Sequence, residues 1–467
     1  MIRQKLCIFI GEIVADDADQ AWLGEKTRRK RDIGGCATEH PIHAAVRGFN
    51  SVIRHASDND KRHLLIVKDA DNMRVVVHFI RNWIFHNLPD ILAFGGVILI
   101  QAIGVFWLMR GPAARWSGKR RMAIYWAAGA SFAIVTFGFL LKFVRVINRV
   151  PIWWAGWGRG LIIAWGLISV LLVLAFALSQ MFPKDRMEHR PGRRRFLRAA
   201  NAMLFAAPTA AVGYGVFIER NRLRLREQSI GIPGLHPDLD GLKIAQLTDI
   251  HLSVFLPERI LEEAVGIANE TRPHLSLVTG DLISFRGDPL DACLARLSRL
   301  RSEAGTWGCH GNHEIYAGTE RYTTEQGARL GMRFLRHQAD VLRFGNANLN
   351  LAGVDYQLMR SPYLRGVEKL IRPGMVNLLL SHNPDVFRIA AKQGWDLTLA
   401  GHTHGGQVSV EILNQSLNVA RFFTPFVDGL YREGSKSIFV SRGIGTIGLP
   451  ARIGAPPEVA LIRLCRT

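Results

Sequence analysis

From residue 91 the chain alternates between long apolar runs and short basic ones. Residues 91–109, 122–141, 160–182 and 199–218 carry no Asp, Glu, Lys or Arg. A helix rises about 1.5 Å per residue, so about 20 residues cross a hydrocarbon layer about 30 Å thick. Each run is long enough and predicts a membrane-crossing helix. Trp107, Trp126, Trp153, Trp154 and Trp157 stand at or near the run ends, where interfacial indoles belong. The rival, buried helices of a soluble protein, fits poorly with so many runs in close succession. From residue 242 the pattern changes. Short β-rich runs at 242–247, 275–279, 376–381 and 397–400, and one leading into Gly311, alternate with helical stretches at 258–269 and about 288–301. Strands that alternate with helices predict an α/β fold.

Composition adds a division to this pattern. Of the net charge of +20, residues 1–235 hold +18 (34 Lys+Arg against 16 Asp+Glu), and residues 236–467 hold +2. A basic chain invites a nucleic-acid reading, but here the charge flanks apolar runs, as it does in membrane-flanking loops. No nucleic-acid partner is expected, and no protein partner is evident; the partner this pattern predicts is a lipid bilayer. Residues 1–72, with the basic run 26–31, read as a solvated, disordered segment. Met73 is an alternative natural start, with the first 72 residues an over-long gene assignment. The organisation expected is therefore 1–72, a membrane domain over 73–225, and an α/β domain over 226–467. Cys7, Cys36, Cys293, Cys309 and Cys465 show no CxxC spacing and are expected as free thiols.

Residues 184–198 form the most basic short loop and are expected in the cytoplasm. Alternation then places the 226–467 domain outside a bacterial inner membrane, although Arg220, Arg222, Arg224 and Arg226 pull the other way. Arg193-Arg194-Arg195-Phe196-Leu197-Arg198 before an Ala-rich run looks like a twin-arginine export signal, with Gly192 where Ser or Thr is common. As a generic basic flank it would stay on the same side.

Five motifs follow apolar runs: Asp249-Ile250-His251, Gly280-Asp281, Gly311-Asn312-His313-Glu314, Ser381-His382-Asn383 and Gly401-His402-Thr403-His404. Ligands in open α/β sheets gather at the carboxyl ends of strands, so the five should converge. His nitrogen with Asp and Asn oxygen suits divalent metals of hard-to-borderline character. The lack of cysteine argues against a closed structural zinc site. Two ions about 3.5–4 Å apart can clamp both oxygens of an in-line displacement, and Asp281 is the natural bridging carboxylate. Any one motif alone is more often chance or a turn than a ligand set; five in order are not.

Their order strongly resembles the calcineurin-like metallophosphoesterase superfamily. The segment from Ser441-Arg442-Gly443 to Pro456-Pro457 resembles the end of its membrane-bound YkuE-like and YaeI-like subgroup. The resemblance implies a four-layered α/β/β/α sandwich and two divalent ions (Mn, Fe or Zn). One ion would take Asp249, His251, Asp281 and His404, and the other Asp281, Asn312, His382 and His402. His313 would protonate the leaving oxygen. Many relatives carry a second acid where this chain has Ser284, which puts the tuning of His313 in question. The expected activity is hydrolysis of a phosphodiester or pyrophosphate, including one attached to a lipid. The alternatives are a UDP-2,3-diacylglucosamine hydrolase of lipid A synthesis, which needs a cytoplasmic site, and a non-catalytic membrane sensor or transporter. Gly443–Gly448 matches GxGxxG, but Pro450 and the lack of a following amphipathic helix favour a glycine turn over a dinucleotide site.

Overall fold

The computed structural model describes residues 94–110, 117–141, 152–181, 191–357, 363–412 and 415–467. The expectations for residues 1–72, Cys7 and Cys36, and those for residues 184–190, lie outside them. Among the described residues, four apolar helices come first: α1 (Phe94–Arg110), α2 (Gly118–Leu141), α3 (Ile152–Met181) and α4 (Pro191–Phe217). The stretches Gly156–Ser179 and Arg198–Asn221 are long and apolar enough to cross a membrane; Phe94–Arg110 is shorter. α4 begins well before its uncharged run, because Pro191 suits the first helical position, where no N–H donor is needed. The run Arg193–Arg198 thus forms its first turns and is not a loop. Polar contacts join these helices. Gln101 Nε2 donates to Ser169 Oγ at 2.7 Å, and Trp165 Nε1 to Ser131 Oγ at 3.0 Å, the type of interhelical bond that apolar surroundings favour.

The α/β pattern then holds. The first strands are β1 (Arg224–Ile232), β2 (Lys243–Leu247), β3 (Leu275–Thr279), β4 (Thr306–Cys309) and β5 (Met332–Phe334). Next come β6 (Gln338–Phe344), β7 (Ala347–Gly353), β8 (Val376–Leu380) and β9 (Leu397–Ala400). A hairpin of β10 (Ser409–Ile412) and β11 (Gln415–Asn418) precedes β12 (Gly429–Glu433), β13 (Lys436–Val440) and β14 (Glu458–Arg466). They make two six-stranded mixed sheets, ordered β1-β14-β2-β3-β4-β5 and β12-β13-β9-β8-β7-β6. Every residue of β3, β8 and β9 is buried. Both faces of these strands are covered, which is why they read as continuous apolar runs rather than alternating ones.

One apolar core contains Ile244 and Leu277 of the first sheet together with Leu351 and Leu378 of the second. The helices α5 (Glu258–Glu270) and α6 (Leu290–Leu297) pack in a separate cluster with Ala245 and Val278 of the first sheet. In α5 the buried residues Ile260, Leu261, Ala264, Val265 and Ala268 fall on one helical stripe. The short α7 (Asn312–Ala317) and α8 (Glu320–Arg329) follow β4, and α9 (Phe387–Gln393) packs with Leu379 through Ala390. α6 is shorter than the periodicity predicts. Asp288 is outside the helix, where its carboxylate accepts the N–H groups of Ser284 and Phe285 at 2.9 Å each.

Candidate metal centre

All five motifs leave the carboxyl ends of strands: Asp249 and His251 after β2, Asp281 after β3, Asn312 and His313 after β4, His382 after β8, His402 and His404 after β9. The backbone bends sharply at three of the exits, after β2, β3 and β9. Asp249, His251, Asp281, His402 and His404 have φ of 49°, 46°, 56°, 76° and 54°. Such left-handed backbone costs a non-glycine residue about 1–3 kcal/mol and collects at functional sites. Two glycines make room for the carboxylates. A Cβ on Gly311 would collide with Asp281 Oδ1, and one on Gly401 with Asp249 Oδ2.

The side chains form two adjoining groups. In the first, Asp249 Oδ1 lies 3.3 Å from His404 Nε2, and the Nε2 atoms of His251 and His404 are 3.1 Å apart. In the second, Asp281 Oδ2 is 3.0 Å from His382 Nε2, and the rings of His382 and His402 are 5.1 Å apart. The same Asp281 oxygen is 3.5 Å from His251 Nε2, so one carboxylate atom touches both groups. Ligand atoms of Asp249, His251 and His404, and those of Asp281, His382 and His402, are close enough to hold an ion. His313 joins His251 and Asp281 in a further group of this kind.

Divalent metals suit these donors. Asn312 Oδ1 and His382 Nε2 are buried and make no hydrogen bond of sound geometry, although Asp281 Oδ2 approaches the second closely. A buried polar atom left so is costly. Burial, with the charge of His382 second, pushes His402 down to about 3. Burial and the charge of His251 take His404 well below the ordinary range. Both shifts favour the neutral ring, the form that binds metal. Burial opposes a charge on His382, but Asp281 and Asp249 outweigh it and hold its proton up to about 10.

Asp249 also accepts the His402 N–H at 3.0 Å, and Asp281 Oδ1 accepts the His313 N–H at 2.9 Å. Ser284 differs from expectation. Its hydroxyl pairs with His251 Nδ1 at 3.1 Å, and it is its backbone carbonyl that accepts from His313 Nδ1. Burial lowers the pKa of His313. With Nδ1–H fixed on a carbonyl, Nε2 is left as its atom for proton exchange.

Two further residues hold the site and were not singled out from sequence. Glu314 is fully buried; Oε2 accepts the N–H groups of Asp281 at 2.9 Å and Gly311 at 2.7 Å, and Oε1 that of Leu282 at 2.7 Å. It ties two motif loops together from within a motif that had been recognised. Arg452 is also fully buried. It donates to the carbonyls of His404 at 3.0 Å, Arg442 at 2.9 Å and Ala455 at 3.2 Å, and its Nη2 lies 3.4 Å from His404 Nδ1. A lone Arg among Gly, Ala and Pro is the signal that was available. The glycine run 443–448 lies against the site. Ile444 N donates to Thr248 O and Gly445 N to Asp249 O, and no helix follows it. Arg442 is held by Asp428 at 2.8 Å. Cys293 and Cys309 are buried free thiols, and Cys465 is half-buried and free.

Two mixed sheets that present an Asp/His/Asn cluster at their strand ends define a metallophosphoesterase domain. The family description of calcineurin-like phosphoesterases matches residues 242–406. Phosphodiesterase YaeI of Escherichia coli is 31% identical over 283 residues, covering 58% of this chain and 98% of that protein. The uncharacterized metallophosphoesterase YkuE of Bacillus subtilis is 29% identical over 282 residues, covering 59% and 98%. A transmembrane protein with metallophosphoesterase domain from Danio rerio is 25% identical over 356 residues, covering 71% and 78%. The chain belongs to the calcineurin-like phosphoesterase family and is a metal-dependent phosphoric ester hydrolase.

Proposed function

We propose that the chain is a membrane-anchored phosphoesterase that uses two divalent ions to hydrolyse a phosphodiester or pyrophosphate, including one linked to a lipid. The observation that carries this is the placement of Asp281 Oδ2 within 3.5 Å of His251 and 3.0 Å of His382: one carboxylate oxygen serves two ligand groups. We assign Asp249, His251, Asp281 and His404 to one ion, and Asp281, Asn312, His382 and His402 to the other. The four-layered α/β/β/α arrangement is supported by two sheets that share one core, with helices in separate clusters. The catalytic domain is taken as 226–467 and the membrane domain as 73–225.

Bound divalent ions there would polarise a phosphoryl oxygen and acidify a water molecule. The chain's own groups do the rest. Asp281 and the His set would hold the ions, and the buried site excludes bulk water. In hydrolysis a water oxygen joins phosphorus and the P–O bond to the leaving group breaks. His313 Nε2 delivers a proton to the departing oxygen.

The test is the metal content of purified full-length chain after reconstitution with Mn²⁺. Two ions per chain are expected. Asp281→Asn should lower occupancy of both positions together, whereas His404→Ala should spare the second group. A wild-type chain that holds a single ion or none sinks the two-metal assignment.

A further inference from the structure

The strongest unused feature is a pair of adjacent, nearly bare aromatic rings. Phe422 is 87% and Phe423 77% exposed, and Arg421 beside them is also exposed. Scattered surface apolar residues need no explanation, but this tip is rigidly mounted on the site. Asn418, just before it, is buried; its Nδ2 donates to Gly405 O at 2.7 Å, and its Oδ1 accepts from Ala420 N at 2.9 Å. Thr424, just after it, is fixed by Oγ1 to Asp385 Oδ1 at 2.6 Å. The tip is thus bolted to the His402–His404 loop.

The same edge of the domain meets the apolar helices. Asn418 pairs with Ser409 across the β10–β11 hairpin, Ser409 N donates to Ile453 O at 2.8 Å, and Arg452 N donates to Gly215 O of α4 at 3.2 Å. Neighbouring backbones in such pairings are about 5 Å apart, so the tip's root is only a few chain widths from α4. On the β2 side, the loop after His251 docks too. Phe255 packs edge-to-face on Trp157 of α3 at 5.5 Å, and Arg220 donates to Phe255 O while lying over the Trp157 ring at 4.9 Å. Trp153 and Trp154 at the start of α3 are exposed, as interfacial indoles are. Two more exposed rings flank the proton donor. Phe285 and Tyr316 lie 6.2 and 5.7 Å from the His313 ring and are 66% and 67% exposed.

We infer that the Arg421–Phe423 tip, with Phe285 and Tyr316, seats the mouth of the site on the bilayer that holds the helices, and that the ester cleaved is borne on a lipid headgroup in that bilayer. The substrate half of this rests on the phosphoesterase reading. The occupant is a lipid surface and not a protein groove-partner for two reasons. The hairpin that carries the tip is joined through Ile453 and Arg452 to α4, and an Arg beside two Phe suits a boundary with phosphate above and acyl chains below.

The experiment uses the full chain in vesicles of phosphatidylethanolamine and phosphatidylglycerol. In Phe422→Trp, the emission gained over the parent chain should be quenched by lipids brominated on the acyl chains; no quenching overturns the seating. In Phe422→Ser/Phe423→Ser, turnover of a fluorogenic phosphodiester lipid in the same vesicles should fall about tenfold or more, the scale of losing one buried ring. Turnover of soluble bis(p-nitrophenyl) phosphate should stay level. An equal loss on both, or no loss on the lipid, overturns the lipid-substrate inference. If the parent hydrolyses neither substrate with metal present, the phosphoesterase reading has failed, and the quenching still decides the seating.

Discussion

At the residue scale, His313 is separable from the ligands. Its Nδ1 is committed to the Ser284 carbonyl and its backbone N–H to Asp281. His313→Ala should reduce turnover of esters with poor leaving groups by about 10²–10⁴-fold while metal content stays near wild type. An activated aryl ester should lose less, and equal losses would remove His313 from the role of acid. His310, two residues before Asn312, behaves differently. Its ring is buried against Phe334 at 5.3 Å, with Nε2 on Thr324 Oγ1 at 2.9 Å, and burial pushes it down to about 4 from 6.5. Between those values the unfolded chain binds the proton that the folded chain refuses. Stability therefore rises with pH through that window and is lost as pH falls from about 6.5 towards 4, by up to about 3 kcal/mol. His310→Gln should flatten the dependence of the thermal midpoint on pH over that range; an unchanged slope rules the assignment out.

At the scale of elements, the site depends on strand exits that approach each other closely. β3 and β4 run parallel with Thr279 beside Cys309, so their exits meet, and Glu314 binds the backbone N–H groups of both. Gly311 has no side chain at the point of closest approach to Asp281. Gly311→Ala should displace the shared carboxylate at a strain of about 1–3 kcal/mol. Bound metal should fall while far-ultraviolet circular dichroism stays that of the parent. A variant that retains both ions shows that the loop yields without moving Asp281.

At the scale of the molecule, the placement of the helices bears on the side of the membrane that the catalytic domain would face. α3 begins beside the loop after His251, and α4 ends beside the segment after the 443–448 glycine run: Trp157 meets Phe255, and Val212 and Val216 share a cluster with Ala451. The basic start of α4 is at its other end. Moving that run across a bilayer is costly, so we expect the catalytic domain outside. A reporter active only outside, fused after Leu225, should be active, and Arg193→Lys with Arg194→Lys should reduce its activity if a twin-arginine route delivers the domain. A silent outside reporter with a bright cytoplasmic one reverses the orientation. It would also admit the nucleotide-linked lipid substrate.

What the sequence determined by itself is local. Apolar run length marked the helices, and buried β-rich runs located β2, β3, β8 and β9 within a residue or so, because burial on both faces leaves a continuous apolar signature. The five motifs were legible for the same reason: each is contiguous and sits at a strand end. The edge strands β6 and β12 left no such run, and β7 is broken by Asn348 and Asn350, so none of the three was foreseen. The tertiary structure alone decided what depends on partners far apart in the chain. It brought His251 to His404 across 153 positions, and gave the Ser284 hydroxyl to His251 and its carbonyl to His313. It buried Arg452 behind His404 and packed the metal edge against α3 and α4. Such contacts are set by how sheets and helices close on one another, and a side chain's neighbours at that range are not written in its local pattern.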